Sequence, residues 1–383
     1  MSVVPEQISA SDLADLRSSL RGLLTSASDE EAVRAVVESE TGYDEKLYDR
    51  LATELGLHSL ALPTPYGEGY GMEVLSVVLG ELGRFVVPGP FFSTVVLAAG
   101  ALVASGDQAA MEKHLPGIAA GSTVATLAVI EPDGHWRHEG FTVTAERSGD
   151  GWSLSGTKAI VPDLLSAGVV LVAASTPEGD ALFAVDTATA GVERTALRTL
   201  DITRRIGRLD LDDASGTLVG APGTLTDLLD AVLDRATTAL AAEQVGGAEA
   251  CLEMAVGYAK VREQFGRRIG SFQAVKHKCA DMFARIELAR AAATEAARAI
   301  DGRDDAPPAG EAAAVAHSVC SEAFMFVAME TIQVHGGIGF TWEHPAHLYF
   351  RRAKADQLMF GGPATYYERL LERLGVTNET STK

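Results

Sequence analysis

Basic charge is scarce in this chain: 32 Lys and Arg stand against 52 Asp and Glu, for a net charge of -20. That balance argues against a nucleic-acid surface, because gripping phosphate backbones needs a basic face; a local basic pocket could still hold an anionic cofactor. Cysteine is scarce too. Cys251, Cys279 and Cys320 lie far apart, with no CxxC and no histidine at metal-ligand spacing, so neither a disulfide framework nor a zinc site is indicated. Three buried thiols in a reducing compartment are expected instead. The opening MSVVPEQISASDLADL has acids and no apolar signal core. No run approaches the roughly 18 apolar residues of a membrane span. A soluble cytoplasmic protein is the expectation.

What is present is enough apolar sequence for a substantial core, 47% of 383 residues, in three textures. Residues 1–121 show helical spacing, as in Leu47, Leu51 and Leu55 or Leu75, Val78, Leu79 and Leu82, with Pro63, Pro65, Pro88 and Pro90 marking connections. Residues 122–221 shorten to VATLAVIE, FTVTAE, WSLSGTKAIV, GVVLVAAS, ALFAVD and GRLDLDD, separated by turn residues such as Ser148-Gly149-Asp150-Gly151. Antiparallel strands are expected there. From 222 to 383 no proline interrupts the chain between Pro222 and Pro307, and Leu240, Val245, Ala248 and Leu252 form one stripe. This predicts two long helices broken at Phe265 to Ser271, a second pair from Glu311 broken at His335 to Gly339, a last helix from about Ala364 and a frayed tail TNETSTK.

The order helical, β, helical gives an α+β class and no function. Two motifs go further. Tyr258-Ala259-Lys260-Val261-Arg262-Glu263-Gln264-Phe265-Gly266 followed by Ile269-Gly270-Ser271-Phe272-Gln273, and Gln333-Val334-His335-Gly336-Gly337-Ile338-Gly339-Phe340-Thr341 continued by Glu343, Pro345, Arg351, Ala353 and Lys354, closely resemble the FAD-dependent acyl-CoA dehydrogenase family. Glu81-Leu82-Gly83-Arg84, Gly149-Asp150-Gly151 and Gly156-Thr157-Lys158 extend the resemblance over nearly the whole chain. It implies an N-terminal helical domain, a central antiparallel β domain and a C-terminal four-helix bundle, assembled as an oligomer. By the same resemblance Arg262 would meet the FAD pyrophosphate as a bidentate donor, Phe265 and Gln273 would line the cofactor, and Gln333, Gly336 and Gly337 would approach FAD bound largely by a neighbouring subunit.

The sequence also departs from that family. Its members remove the α proton of an acyl-CoA with a carboxylate while the β hydrogen leaves as hydride to flavin. Where the family presents a Glu-Gly-Thr with the Glu as base, this chain reads Phe360-Gly361-Gly362. A second family placement of the base aligns with Ala236. Glu243 is the nearby acid to weigh as a substitute, about 10 Å further along the helix at 1.5 Å per residue; an interface or ion-paired role is its competing reading. Ile130-Glu131-Pro132 echoes the flavin-facing strand loop, but Asp133-Gly134-His135-Trp136 follows it, and Ile160 and Pro162 stand where the family has aromatic and small hydroxyl residues over the flavin ring. Arg351-Arg352 replaces an Arg-Asp pair, which predicts a rearranged salt bridge, and His335 reads as a histidine packed at a helix end and bonded to backbone.

This pattern resembles the base-lacking subunits of actinobacterial heterotetrameric acyl-CoA dehydrogenases. The resemblance implies α,β-dehydrogenation of an acyl-CoA with electrons to FAD and then to an electron-transfer flavoprotein. A second dehydrogenase subunit, in an α2β2 assembly, would supply the catalytic Glu. Alternatives are a self-sufficient homo-oligomer with a displaced base, oxidase-type flavin chemistry, and a non-catalytic scaffold. No metal is expected.

Overall fold

The computed structural model of the chain describes residues 8–149 and 151–376, so the expected fraying after Val376 and the turn residue Asp150 lie outside it. Helices α1 (Ala10–Ala27), α2 (Glu30–Glu38), α3 (Glu45–Thr53) and α4 (Met72–Arg84) are followed by a π-helical turn, Phe92–Ala98, that runs into α5 (Ala99–Ser105), and by α6 (Gln108–Ala119). Seven strands come next: β1 (Ala125–Ala128), β2 (Thr144–Ser148), β3 (Gly151–Pro162), β4 (Val169–Ala174), β5 (Ala181–Asp186), β6 (Val192–Ala196) and β7 (Ile206–Val219). The chain then forms α7 (Leu225–Val261), a small hairpin of β8 (Glu263–Gln264) and β9 (Arg267–Arg268), α8 (Gln273–Ile300), α9 (Ala309–His335), α10 (Ala346–Leu358) and α11 (Pro363–Arg373). Compactness divides the chain into two units. One comprises the described residues of Met1–Glu30, Gly71–Val87 and Thr237–Lys383, the other Glu31–Tyr70 and Pro88–Ala236.

In the first unit α9 is the central helix, with Phe324, Val327 and Ala328 buried against Ala248, Cys251 and Ala255 of α7 and Met282 and Ile286 of α8. By length and composition it could cross a membrane, but 67% of its apolar window is buried inside the protein, as befits a core helix. Against α7 lies α4, at a crossing built on glycines. A Cβ on Gly246 would run into the Gly80 carbonyl, and one on Gly83 into the backbone of Glu243. The ends of α4 are tied by charge: the Asp301 carboxylate accepts from the N–H groups of Met72 and Glu73 at 2.6 and 2.9 Å, which supplies the cap that Gly71 cannot. Buried Glu81 takes the Arg21 guanidinium in two bonds of 2.8 and 2.6 Å. These contacts give a physical reason for Glu81 and Gly83 in the segment that the family resemblance singled out. Alanine favours a helix over glycine by about 1 kcal/mol, yet Gly246→Ala is expected to destabilise the chain by about 3 kcal/mol, because the two helix backbones must separate. Urea unfolding checks this; a gain in stability would show that the crossing can relax.

The second unit is built on one sheet, in the order β1-β4-β5-β7-β3-β2 with β6 also on β7. All pairs are antiparallel except β1 with β4, where Ala125 to Ala128 run parallel to Val169 to Val172. The chain leaves β1 and makes the whole β2–β3 hairpin before it returns, so this pair is reached by a crossover and not by a hairpin. The sequence reading did not anticipate β6: its residues VERTA are mostly exposed and carry no apolar alternation. The inner face of the sheet buries Trp152, Leu154, Val172 and Phe183, with Trp152 edge-on to Phe183 at 5.2 Å.

Strand β3 carries one member of a buried ion pair. Lys158 Nζ lies 2.8 Å from Glu131 Oε1 and 4.5 Å from the centre of the Phe141 ring. Glu131 also accepts from the N–H groups of Thr142 and Val143 at 2.9 and 3.0 Å. Burial pushes the Glu131 carboxyl up, but Lys158 and those N–H groups outweigh it and hold its pKa below the ordinary value. Burial lowers the Lys158 ammonium to about 8, against the upward pull of Glu131, so the pair is mostly charged at neutral pH. A depressed carboxyl stabilises the fold fully above its unfolded pKa of about 4.3, and that contribution is lost as pH falls through the folded value. Glu131→Gln should therefore lower stability at neutral pH and flatten its decline below about pH 4.3. Denaturant midpoints across that range test this. An unchanged acid limb would show that other carboxylates set it.

Candidate cofactor-facing site

The helical rhythm of α7 stops at Val261. Arg262 still donates its N–H to Tyr258 O at 2.9 Å, and Ile269 N–H returns to Arg262 O at 2.8 Å. Between them Gln264 pairs with Arg267 across a two-residue turn, Phe265-Gly266, with φ of 54° and 74°. Two left-handed residues match the twist of a tight hairpin, but an aromatic there costs about 1 kcal/mol. Phe265 is nevertheless 92% exposed, so burial within this chain does little to offset that cost. Its ring stands edge-on to Phe272 at 6.1 Å, and Arg267 lies over Phe272 at 4.0 Å. Gln273, the first residue of α8, is exposed, with Nε2 3.4 Å from His277. In an acidic chain this hairpin carries Arg262, Arg267 and Arg268 against Glu263; the sequence reading singled out Arg262 alone.

The second motif ends α9. Gln333, Gly336 and Gly337 are exposed, and an added Cβ at either of these glycines would meet nothing within 4 Å, so their backbone is open to a large group. Gly336 has φ 63°. Gly339 is different: it is buried, and a Cβ there would sit 2.9 Å from His335 Cβ and 3.0 Å from Ile332 O. Buried His335 directs Nδ1 to Thr331 O at 2.7 Å, and its ring lies 4.4 Å from the Tyr258 ring at an interplanar angle of 30°. The two motifs, about 70 residues apart in sequence, thus meet in space.

The segment that the resemblance aligns with the family's base is locked. Phe360 has φ 65° and Gly361 φ 108°, and Phe360 is 4% exposed. Tyr366 Oη donates to Phe360 O at 3.1 Å, and His317 Nε2 donates to Gly361 O at 3.0 Å. The His317 and Tyr366 rings are 4.3 Å apart. Burial lowers the His317 pKa to about 4, so it is neutral with its proton on Nε2. The next acid back along the chain, Asp356, is fully buried in the last turn of α10. Glu243 is buried and ion-paired with buried Arg352. That is the rearranged salt bridge expected around Arg351-Arg352, while Arg351 lies over Trp342 at 4.9 Å. Ala236, the second base placement, is fully buried.

The acyl-CoA dehydrogenase N-terminal domain family matches residues 12–122 and the C-terminal domain family residues 227–374. The chain is an acyl-CoA dehydrogenase family member. It is 34% identical over 359 residues, 93% of this chain and 96% of the relative, to acyl-CoA dehydrogenase IpdE2 of Mycolicibacterium smegmatis. Among solved structures it is similar to a variant of the Tcur3481-Tcur3483 steroid ACAD, at TM-score 0.86, 36% identity and coverage of 95% of this chain and 98% of that one. The ChsE4-ChsE5 complex from Mycobacterium tuberculosis superposes at TM-score 0.86 with 30% identity, covering 97% and 99%. Acyl-CoA dehydrogenases bind FAD as a family. The exposed arginines of the hairpin are donors that fit the phosphate-bearing part of such a dinucleotide, the exposed Phe265 ring offers it a packing face, and the Gly336-Gly337 backbone leaves room for its close approach. Within this acyl-CoA dehydrogenase family member, in contrast, the position that the sequence resemblance assigns to the base holds a buried aromatic, Phe360.

Proposed function

We propose that this chain is the subunit of a heteromeric acyl-CoA dehydrogenase that completes the FAD site, while a second dehydrogenase subunit supplies the catalytic carboxylate. The observation that carries this reading is Phe360, an aromatic side chain buried in a locked left-handed turn, in the same chain that keeps Arg262, Phe265, Gln273, Gln333, Gly336 and Gly337 exposed. Arg262 would bind the pyrophosphate, Phe265 and Gln273 would pack on and hydrogen-bond the cofactor, and the Gly336-Gly337 backbone would approach it from α9. FAD, when bound, supplies the hydride acceptor for α,β-dehydrogenation of an acyl-CoA thioester, with electrons passing to an electron-transfer flavoprotein. In this chain no acid occupies the base position to take the α proton, and Glu243 is held by Arg352; this disfavours the self-sufficient homo-oligomer.

A strained ring that is 92% exposed on a lone chain is a surface built for contact. Similarity to a steroid ACAD favours a steroid-derived acyl group as substrate, and similarity to the ChsE4-ChsE5 complex favours a heteromer. Purification from the source cell, with native mass and flavin stoichiometry, tests the assembly. The expected result is a heteromer containing a second, Glu-bearing dehydrogenase chain and bound FAD. A homo-oligomer carrying one flavin per chain would overturn it.

A further inference from the structure

We infer that His335 is a positioning residue: its ring is the shared member of a three-ring cluster that holds the Arg262 end of α7 and the Gly336-Gly337 end of α9 as one prebuilt surface. The Tyr258 ring lies 4.4 Å from that of His335 between centres, at 30°, and the His344 ring 4.2 Å from it, at 48°. Tyr258 stands one turn before Arg262 and accepts its N–H. His335 directly precedes Gly336. A displacement of its ring therefore reaches both segments within a few bonds.

Three further contacts fix the cluster. The Thr331 carbonyl takes the Nδ1 proton of His335 at 2.7 Å and so sets the ring's plane. Thr331 Oγ1 donates to Cys251 O at 3.0 Å, a second tie between α9 and α7. His344 Nδ1 accepts from Ala346 N–H at 3.2 Å, which seats the third ring at the start of α10. Gly339 lets the 3-10 turn that follows α9 fold back onto His335. Residues 261–268 and 336–338, by contrast, are exposed throughout. A ligand that had to order two such segments would lose affinity to their entropy, whereas a prebuilt surface spares that loss.

This inference rests on the reading that the surface meets FAD, and two measurements separate their fates. In hydrogen–deuterium exchange on the cofactor-stripped complex, His335→Ala should raise exchange across residues 262–270, a segment remote in sequence, with no ligand needed. In titration of the same complex with FAD, followed by flavin fluorescence, His335→Ala and Tyr258→Ala should each weaken binding at least fivefold. The double variant should be no more than about twofold worse than the weaker-binding single variant, because both remove one cluster. His335→Phe, which keeps a ring, should recover most of the affinity; His335→Gln should not. Unchanged exchange at 262–270 in His335→Ala, or full additivity of the two alanine variants, overturns the inference. If the unaltered complex fails to bind FAD while exchange at 262–270 still responds, the cofactor reading falls and the coupling stands.

Discussion

Glu243→Gln is expected to cost the fold about 3–5 kcal/mol, the range for breaking a buried ion pair from one side, and not to act by removing a base. Both partners are almost fully buried, Glu243 at 4% and Arg352 at 3% exposure. The substitution takes away the carboxylate that faces a guanidinium which cannot shed its charge. Replacing both residues by leucine should recover most of the loss, since a well-packed apolar pair in such a place is often neutral or better. Had Glu243 been poised to take a proton, its carboxylate would need to be available, and here a neighbouring cation holds it. Denaturant unfolding of the single and double variants, with turnover of the assembled enzyme measured on the fraction that folds, distinguishes the two roles. Full stability of Glu243→Gln together with lost turnover would return Glu243 to the role of base.

That pair also shows where sequence reading stops. Periodicity sufficed for α4, whose stripe Leu75, Val78, Leu79 and Leu82 is buried, and for the break between α7 and α8, because helix and turn preferences are local. The exposed residues proposed to face the cofactor stood out for a different reason: a long motif of unusual residue types resembles a family. Glu243 and Arg352 are 109 residues apart, and each alone reads as an ordinary charge on a helix. Equally hidden was the His317–Tyr366 clamp on the Phe360 turn, since a buried histidine with a backbone partner leaves no pattern in the chain. β6 escaped because an exposed strand lacks the alternation that marks a half-buried one. At residue 360 the signal was the residue type itself, since a phenylalanine side chain cannot accept a proton wherever it is placed.

The isolated chain, loaded with FAD and offered a steroid-linked or aliphatic acyl-CoA with an electron acceptor, should therefore dehydrogenate it at least roughly a thousandfold more slowly than the heteromer, because a positioned base is worth about 10²–10⁴ in rate. Restoring the acid by Phe360→Glu should not rescue the lone chain to within about a hundredfold. The side chain at 360 is buried, in a turn whose two carbonyls are held by Tyr366 and His317, so a carboxylate placed there is desolvated and its pKa rises. Ile160 and Pro162 would still stand where the family resemblance places an aromatic and a hydroxyl over the flavin ring. One substitution leaves that second loss untouched. Steady-state rates of the lone chain, the Phe360→Glu chain and the heteromer, each normalised to bound flavin, decide it. A lone chain that turns over like the heteromer, or a Phe360→Glu chain that does, would mean that a complete dehydrogenase site survives in this subunit.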